Sequence, residues 1–147
     1  MTIQERLARR FEPDELRRIK RLWVRHSIAE DRRDVDALIS TLTEDCVYEI
    51  VPTGQRWDGH EGARGFYGQL FAAFPDNAFA LGEIVIGPQG VFEAATLTGT
   101  NTGPWAGAAP SGLPVSLEVL ILFPWDPVRR LFTGERIWFD RGVLDGP

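Results

Sequence analysis

One cysteine, two histidines and one lysine among 147 residues rule out several chemistries from the start. Cys46 has no partner for an intramolecular disulfide, so burial alone must hold the fold, and a reducing compartment suits it. A chain of this length buries about two-thirds of its unfolded surface, which is enough without cross-links. With His26 and His60 as the only imidazoles, a structural zinc site would need carboxylates at spacings the chain does not offer. No metal or other cofactor is expected. No glycine-rich loop ends in Gly-Lys-Ser or Gly-Lys-Thr, no Gly-x-Gly-x-x-Gly occurs, and none of the four serines sits in a Gly-x-Ser-x-Gly elbow. Nucleotide binding and serine hydrolysis therefore lack their usual marks. No apolar run approaches the roughly 18 residues of a membrane span, and Met1 to Arg6 carries charge where a signal peptide needs an apolar core. A cytoplasmic protein with no membrane partner is the expectation.

The composition that remains is that of an ordinary globular chain, 44% apolar and 25% charged, so one domain over residues 1–147 is expected, with 1–12 a flexible or partner-contacting arm. Net charge is −5 and the excess acid falls in residues 37–147, which argues against nucleic acid as a partner. Arg17, Arg18, Lys20, Arg21 and Arg25 cluster on one segment, but acids interleave with them, as on a solvated or subunit-contacting helix face.

Pro13 and Asp14 mark a helix start, and Leu16, Ile19, Trp23 and His26 repeat at helical spacing through about Glu30. Asp34 is a plausible N-cap for a second helix ending near Thr43, and Cys46 to Val51 reads as the first strand. Gln55 to Asp58 returns as a short strand. A third helix carries Phe66, Tyr67, Leu70, Phe71 and Phe74 and stops at Pro75, where proline breaks the backbone ladder. Two long hairpins follow, 80–86 with 91–100 and 115–123 with 130–140, separated by a Gly/Pro-rich loop over 103–112 that is a candidate pocket rim. Residues 115–123 are nearly apolar on both faces, which predicts cover on both: helices on one side, a second subunit on the other.

What chemistry remains is acid and base. Alternation along the last strand places Asp140 on the face of Arg136 and Trp138; if that face lines the pocket, Asp140 is a general acid or base, and if not, it pairs with Arg136 or Arg141. His60 begins the aromatic helix and either points to the pocket mouth or packs at the helix start. Tyr48 and Trp57 are expected to line the pocket, with Trp105 and Tyr67 as further aromatic candidates. Glu118, a charge in an apolar strand, should pair with Arg136 on the adjacent strand. Asn101, beside the Gly/Pro-rich loop, either holds a substrate carbonyl or satisfies the turn. His26 lies on an apolar stripe, where a hydrogen-bonded core histidine is the commoner outcome, and stays outside the candidate site.

The element order resembles the nuclear-transport-factor-2-like superfamily. Asp58-Gly59-His60-Glu61-Gly62-Ala63-Arg64-Gly65-Phe66-Tyr67, Phe74-Pro75-Asp76, Gly99-Thr100-Asn101-Thr102-Gly103 with Pro110-Ser111-Gly112, and Glu135-Arg136 before Asp140 are similar to the SnoaL-like polyketide cyclase group. The resemblance implies an α+β fold, a cone of N-terminal helices on a curved mixed or antiparallel sheet enclosing a pocket, and a homodimer formed through the sheet. It also implies a cofactor-independent aldol-type ring closure, or a related isomerase or lyase step, on a small apolar carbonyl compound, with Asp140 moving the proton. Asn101 stands where the group often has histidine, and Ile50 stands where the related ketosteroid isomerases carry their basic aspartate. An epoxide-hydrolase-like arrangement of Asp140, Arg136 and Glu118 is a distant alternative. A non-catalytic ligand-binding or dimer-scaffold protein is the alternative from another class.

Overall fold

A computed structural model describes residues 1–146. Thr2 and Glu5 form a reciprocal capping box that starts α1 (Ile3–Ala8), a helix with no buried residue. Pro13, with its φ already helical, opens α2 (Pro13–Asp31), whose buried stripe is Ile19, Leu22, His26 and Ala29. The Asp34 side chain accepts the Ala37 N–H to cap α3 (Val35–Ile39). The chain then enters β1 (Leu42–Ile50), β2 (Gln55–Asp58), the aromatic helix α4 (Gly59–Ala73), β3 (Ala78–Gly87), β4 (Gly90–Thr100), β5 (Pro114–Asp126), β6 (Leu131–Trp138) and a 3-10 turn (Arg141–Asp145).

The six strands form one sheet in the order β2-β1-β6-β5-β4-β3, with β1 and β6 parallel and every other pair antiparallel. The helices cover its inner face. Two expectations need adjustment. The first strand begins at Leu42 rather than Cys46, because Leu42 pairs with Phe132 and the β-branched Thr41 and Thr43 suit that ladder better than a longer helix. Within this chain β5 is covered on one side only: Leu117, Val119, Ile121, Phe123 and Trp125 are buried, whereas Ser116, Glu118 and Leu120 are exposed.

One irregularity decides what the sheet encloses. Three steps along β5, Leu122 to Trp125, match four steps along β6, Arg136 to Phe132, so β6 carries one extra residue there. Gly134 supplies it. Its φ is +120°, and a Cβ built there would lie 1.9 Å from the Val47 carbonyl oxygen. Phe132 faces inward before the bulge, and strict alternation would then bury Arg136 and expose Glu135. The extra residue reverses the phase, so Glu135 and Ile137 are buried and Arg136 is exposed.

Candidate active site

Four elements meet over Glu135. Parallel pairing sets Tyr48 of β1 beside Glu135 of β6, α4 brings Tyr67 down from above, and α2 brings His26. All are buried, Tyr48 and Tyr67 at 0% exposure and Glu135 and His26 at 2%. Glu135 Oε1 lies 3.2 Å from the Tyr48 hydroxyl, 3.0 Å from the Tyr67 hydroxyl and 2.9 Å from His26 Nε2. The two phenols are 2.7 Å apart, and the Tyr67 oxygen is 3.1 Å from His26 Nε2. All three groups converge on Oε1, and because the 2.7 Å phenol–phenol contact takes one hydroxyl proton, only one phenol donates to it. That leaves Oε2 for the cavity that Glu135 also lines. Burial, and then the Glu135 charge, push both phenols well above their ordinary pKa, so each stays a hydrogen-bond donor across the physiological range.

The cavity above this cluster is walled by Phe66, Leu70, Phe79, Trp105, Ile121 and Phe139 among others, with Glu30 and Glu135 as its carboxylates. It leaves about 20 Å3 for the centre of a water molecule, room for one. Glu30 and Phe79 also border a cleft of about 240 Å3 on the same measure, lined by Trp23, Asp31, Glu93 and Phe123. Glu30 therefore lines both spaces.

The two interior carboxyls differ sharply. Glu135 Oε1 is held among His26, Tyr48 and Tyr67, whereas desolvation pushes the carboxyl of half-buried Glu30 well above the usual carboxylate range, and Glu135, Glu93 and Asp31 push it further the same way. Glu93, at the cleft wall, is raised to about 7 by burial and by Glu135, against a hydrogen bond from Trp23 Nε1 at 3.1 Å that lowers it. One ligand atom each from His26, Glu30 and Glu135 also lie within 4.8 Å of one another, a spacing that suits a cation. The 2.9 Å Nε2 to Oε1 contact, however, already ties two of the three together.

The residues expected from sequence divide between the two sides of the sheet. Tyr48 and Trp105 join the interior, Tyr48 through Glu135 and Trp105 as a buried wall edge-on to Phe66 at 5.4 Å. Trp57 packs its half-buried ring against the other side of Phe66, at 5.2 Å. His60 is a packing histidine whose Nε2 lies 3.2 Å from the Leu42 carbonyl. Asn101 satisfies the turn, accepting the Ser111 N–H at 3.1 Å and donating to the Gly103 carbonyl at 2.8 Å.

Asp140, Arg136 and Glu118 all lie on the outer face, to which the phase reversal at Gly134 turns Arg136 and the even-numbered residues that follow it. Asp140 is exposed, accepts the Gly142 N–H at 2.9 Å as cap of the 3-10 turn, and borders an open groove of about 760 Å3 with Glu118, Leu120 and Trp138. It lies outside the enclosed cavity, on the face turned to solvent. Arg136 pairs with Glu49 at 3.2 Å, not with Glu118, and covers the Trp138 ring at 5.1 Å. Tyr67, a further aromatic candidate in the sequence, joins this cluster, as does His26, which the sequence placed outside it; Glu30 and Glu135 are the members that sequence reasoning did not weigh.

The family model described as SnoaL-like polyketide cyclase matches residues 16–127. No curated protein matches the chain in sequence. Among solved structures, a candidate SnoaL-like polyketide cyclase from Jannaschia Sp. CCS1 superposes with a TM-score of 0.78 at 21% identity, covering 95% of this chain and 99% of that one. A second, from Shewanella denitrificans OS-217, gives 0.74 at 14% identity, covering 91% and 96%. A protein with a ketosteroid isomerase-like fold from Catenulispora acidiphila DSM 44928, solved with trimethylamine, gives 0.69 at 14% identity, covering 84% and 88%.

Proposed function

Since the chain belongs to the SnoaL-like polyketide cyclase family, we propose that it is a cofactor-independent acid–base enzyme acting on a small apolar carbonyl compound, with Glu135 rather than Asp140 as the base. The observation that supports this is the asymmetry of the Glu135 carboxylate, with Oε1 fixed among His26, Tyr48 and Tyr67 and Oε2 left to an apolar cavity. A substrate seated in the outer cleft passes its carbonyl edge beyond Glu30 and Phe79 into the interior. Oε2 removes the proton α to the carbonyl, and the protonated Glu30 donates a hydrogen bond to the oxygen on which negative charge develops. In an aldol-type closure the enolate carbon then attacks a second carbonyl of the same molecule, and the proton held by Glu135 returns to the new alkoxide.

The test is deuterium uptake from D2O, followed by mass spectrometry, into a panel of enolisable cyclic ketones and β-dicarbonyl compounds. The protein should accelerate uptake for part of the panel, and Glu135→Gln should lose about 100-fold or more of that acceleration, the usual share of a general base. No acceleration anywhere in the panel, which the ligand-binding or scaffold alternative predicts, would overturn the reading. So would full exchange by Glu135→Gln.

The outer face supports a second part of the proposal, a homodimer formed through the sheet. Phe92 and Leu120 are 39% and 41% exposed there, beside Trp138 and the groove. Sedimentation at micromolar concentration should report a dimer; a monomer would remove this part alone.

A further inference from the structure

The Leu38 carbonyl, at the end of α3, accepts the backbone N–H of Thr41 at 3.0 Å. Thr41, three residues on and fully buried, turns its hydroxyl back to that carbonyl at 2.6 Å. A contact so short between a hydroxyl and a carbonyl oxygen must contain the hydroxyl proton, because the carbonyl has none to give. The Thr41 oxygen is thereby left with only lone pairs, and it lies 2.7 Å from His26 Nδ1. Two bare lone pairs at that distance would repel, so the proton of this second contact belongs to the imidazole.

Resting on Glu135 as the base, we infer that Thr41 is a positioning residue that fixes His26 as the Nδ1–H form and so aims a bare or shared Nε2 at Glu135. The consequence is a count of protons. With Nδ1 supplied, the 2.9 Å Nε2 to Oε1 contact needs one further proton between its two atoms by the same lone-pair argument. The Tyr67 hydroxyl donates to Oε1 and the Tyr48 hydroxyl donates to Tyr67, which satisfies the cluster with no donor left over. If Thr41 could not hold Nδ1–H, the ring would be free to place its one neutral-form proton on Nε2, and the contact to Oε1 would need no further one. The carbonyl end of a five-residue helix thus sets the protonation of a ring on a different helix.

Long-range 1H–15N correlation spectra of the histidine rings test this directly. With two histidines in the chain, His60→Gln assigns the His26 signals by elimination. Nδ1 of His26 should carry a proton in the wild-type protein. Thr41→Val should lose the Nδ1 proton signal in favour of Nε2–H, and Thr41→Ser, which restores the hydroxyl, should restore it. A bare Nδ1 in the wild-type protein overturns the inference, as does an unchanged Nδ1–H in folded Thr41→Val. If Thr41→Val does not fold, the wild-type spectrum alone still decides. The role of Glu135 is judged separately: loss of exchange in Glu135→Gln with Nδ1 bare removes only the Thr41 inference, and full exchange with Nδ1 protonated removes only the base assignment.

Discussion

Glu135 and Arg136 are adjacent in the chain and occupy different solvents. Glu135, inside, is held by a histidine and two tyrosines, each of which has its position fixed by a separate element. Arg136, outside, shares a pairing with Glu49 across β1 and lies over Trp138, both in reach of water. Surface pairs of that kind contribute at most about 1 kcal/mol, whereas a buried charge depends on its partners for several. The carboxyl that depends most on its partners therefore lies on the inner side, although the roomier groove lies on the outer. The residue that separates the two environments is Gly134.

Gly134→Ala should blur that separation most. The added Cβ would meet the Val47 carbonyl at 1.9 Å with φ at +120°, and relief requires either opening the β1 to β6 ladder or removing the bulge. Destabilisation of roughly 3 kcal/mol or more is expected, or failure to fold. Denaturant melts of folded Gly134→Ala that match the wild type would mean that the bulge does not set the phase of β6.

A pH series sharpens the comparison from the inner side. The Glu93 carboxyl is raised to about 7 in the folded protein, against about 4.3 when unfolded. Between these values the native state keeps a proton that the unfolded state has shed, so stability is fully present below about pH 4, falls as pH rises, and levels off above about pH 7. Glu93 is 8% exposed, so the loss is on the order of 3 kcal/mol, and Glu30 adds to it in the same direction. Glu93→Gln keeps an acceptor for Trp23 and should remove most of the Glu93 part of this decline. Urea midpoints for the two proteins at about pH 5 and about pH 8 measure it, and equal declines would contradict the burial of that charge. A smaller effect is expected from Tyr67→Phe, which removes a hydroxyl donor to Glu135 while Tyr48 can still donate at 3.2 Å. Chemical denaturation should report a loss of about 1 kcal/mol.

Much of this fold was legible in the chain because its signals are local. Pro13, Asp34 and Pro75 mark helix limits by their own backbone and side-chain chemistry, and the Gln55 to Asp58 strand fell where the turn residues put it. The site was less legible because its members are joined by packing rather than by spacing: Glu30 and Glu135 are 105 residues apart in sequence. His26 was read as a hydrogen-bonded core residue and is one, but periodicity cannot say that its partner is a carboxylate. The one local signal available was Gly134, an isolated glycine within a strand pattern, which marks a bulge and with it a change of phase. The alternation argument that placed Asp140 with Arg136 and Trp138 was geometrically sound. The face they share is the one turned away from the cavity.

Asp140→Ala is therefore the mildest change and the most direct comparison with Glu135. The Asp140 side chain holds the Gly142 N–H at 2.9 Å, and its loss should cost no more than about 1 kcal/mol, the ordinary value of a cap in an exposed turn. Deuterium exchange on the same carbonyl panel should be unchanged, since neither the cavity nor any of the three groups on Glu135 Oε1 touches this residue. A loss as large as that of Glu135→Gln, in a protein that melts normally, would move the chemistry to the outer groove beside Trp138 and leave the buried cluster as a polar anchor for α2, α4 and β6.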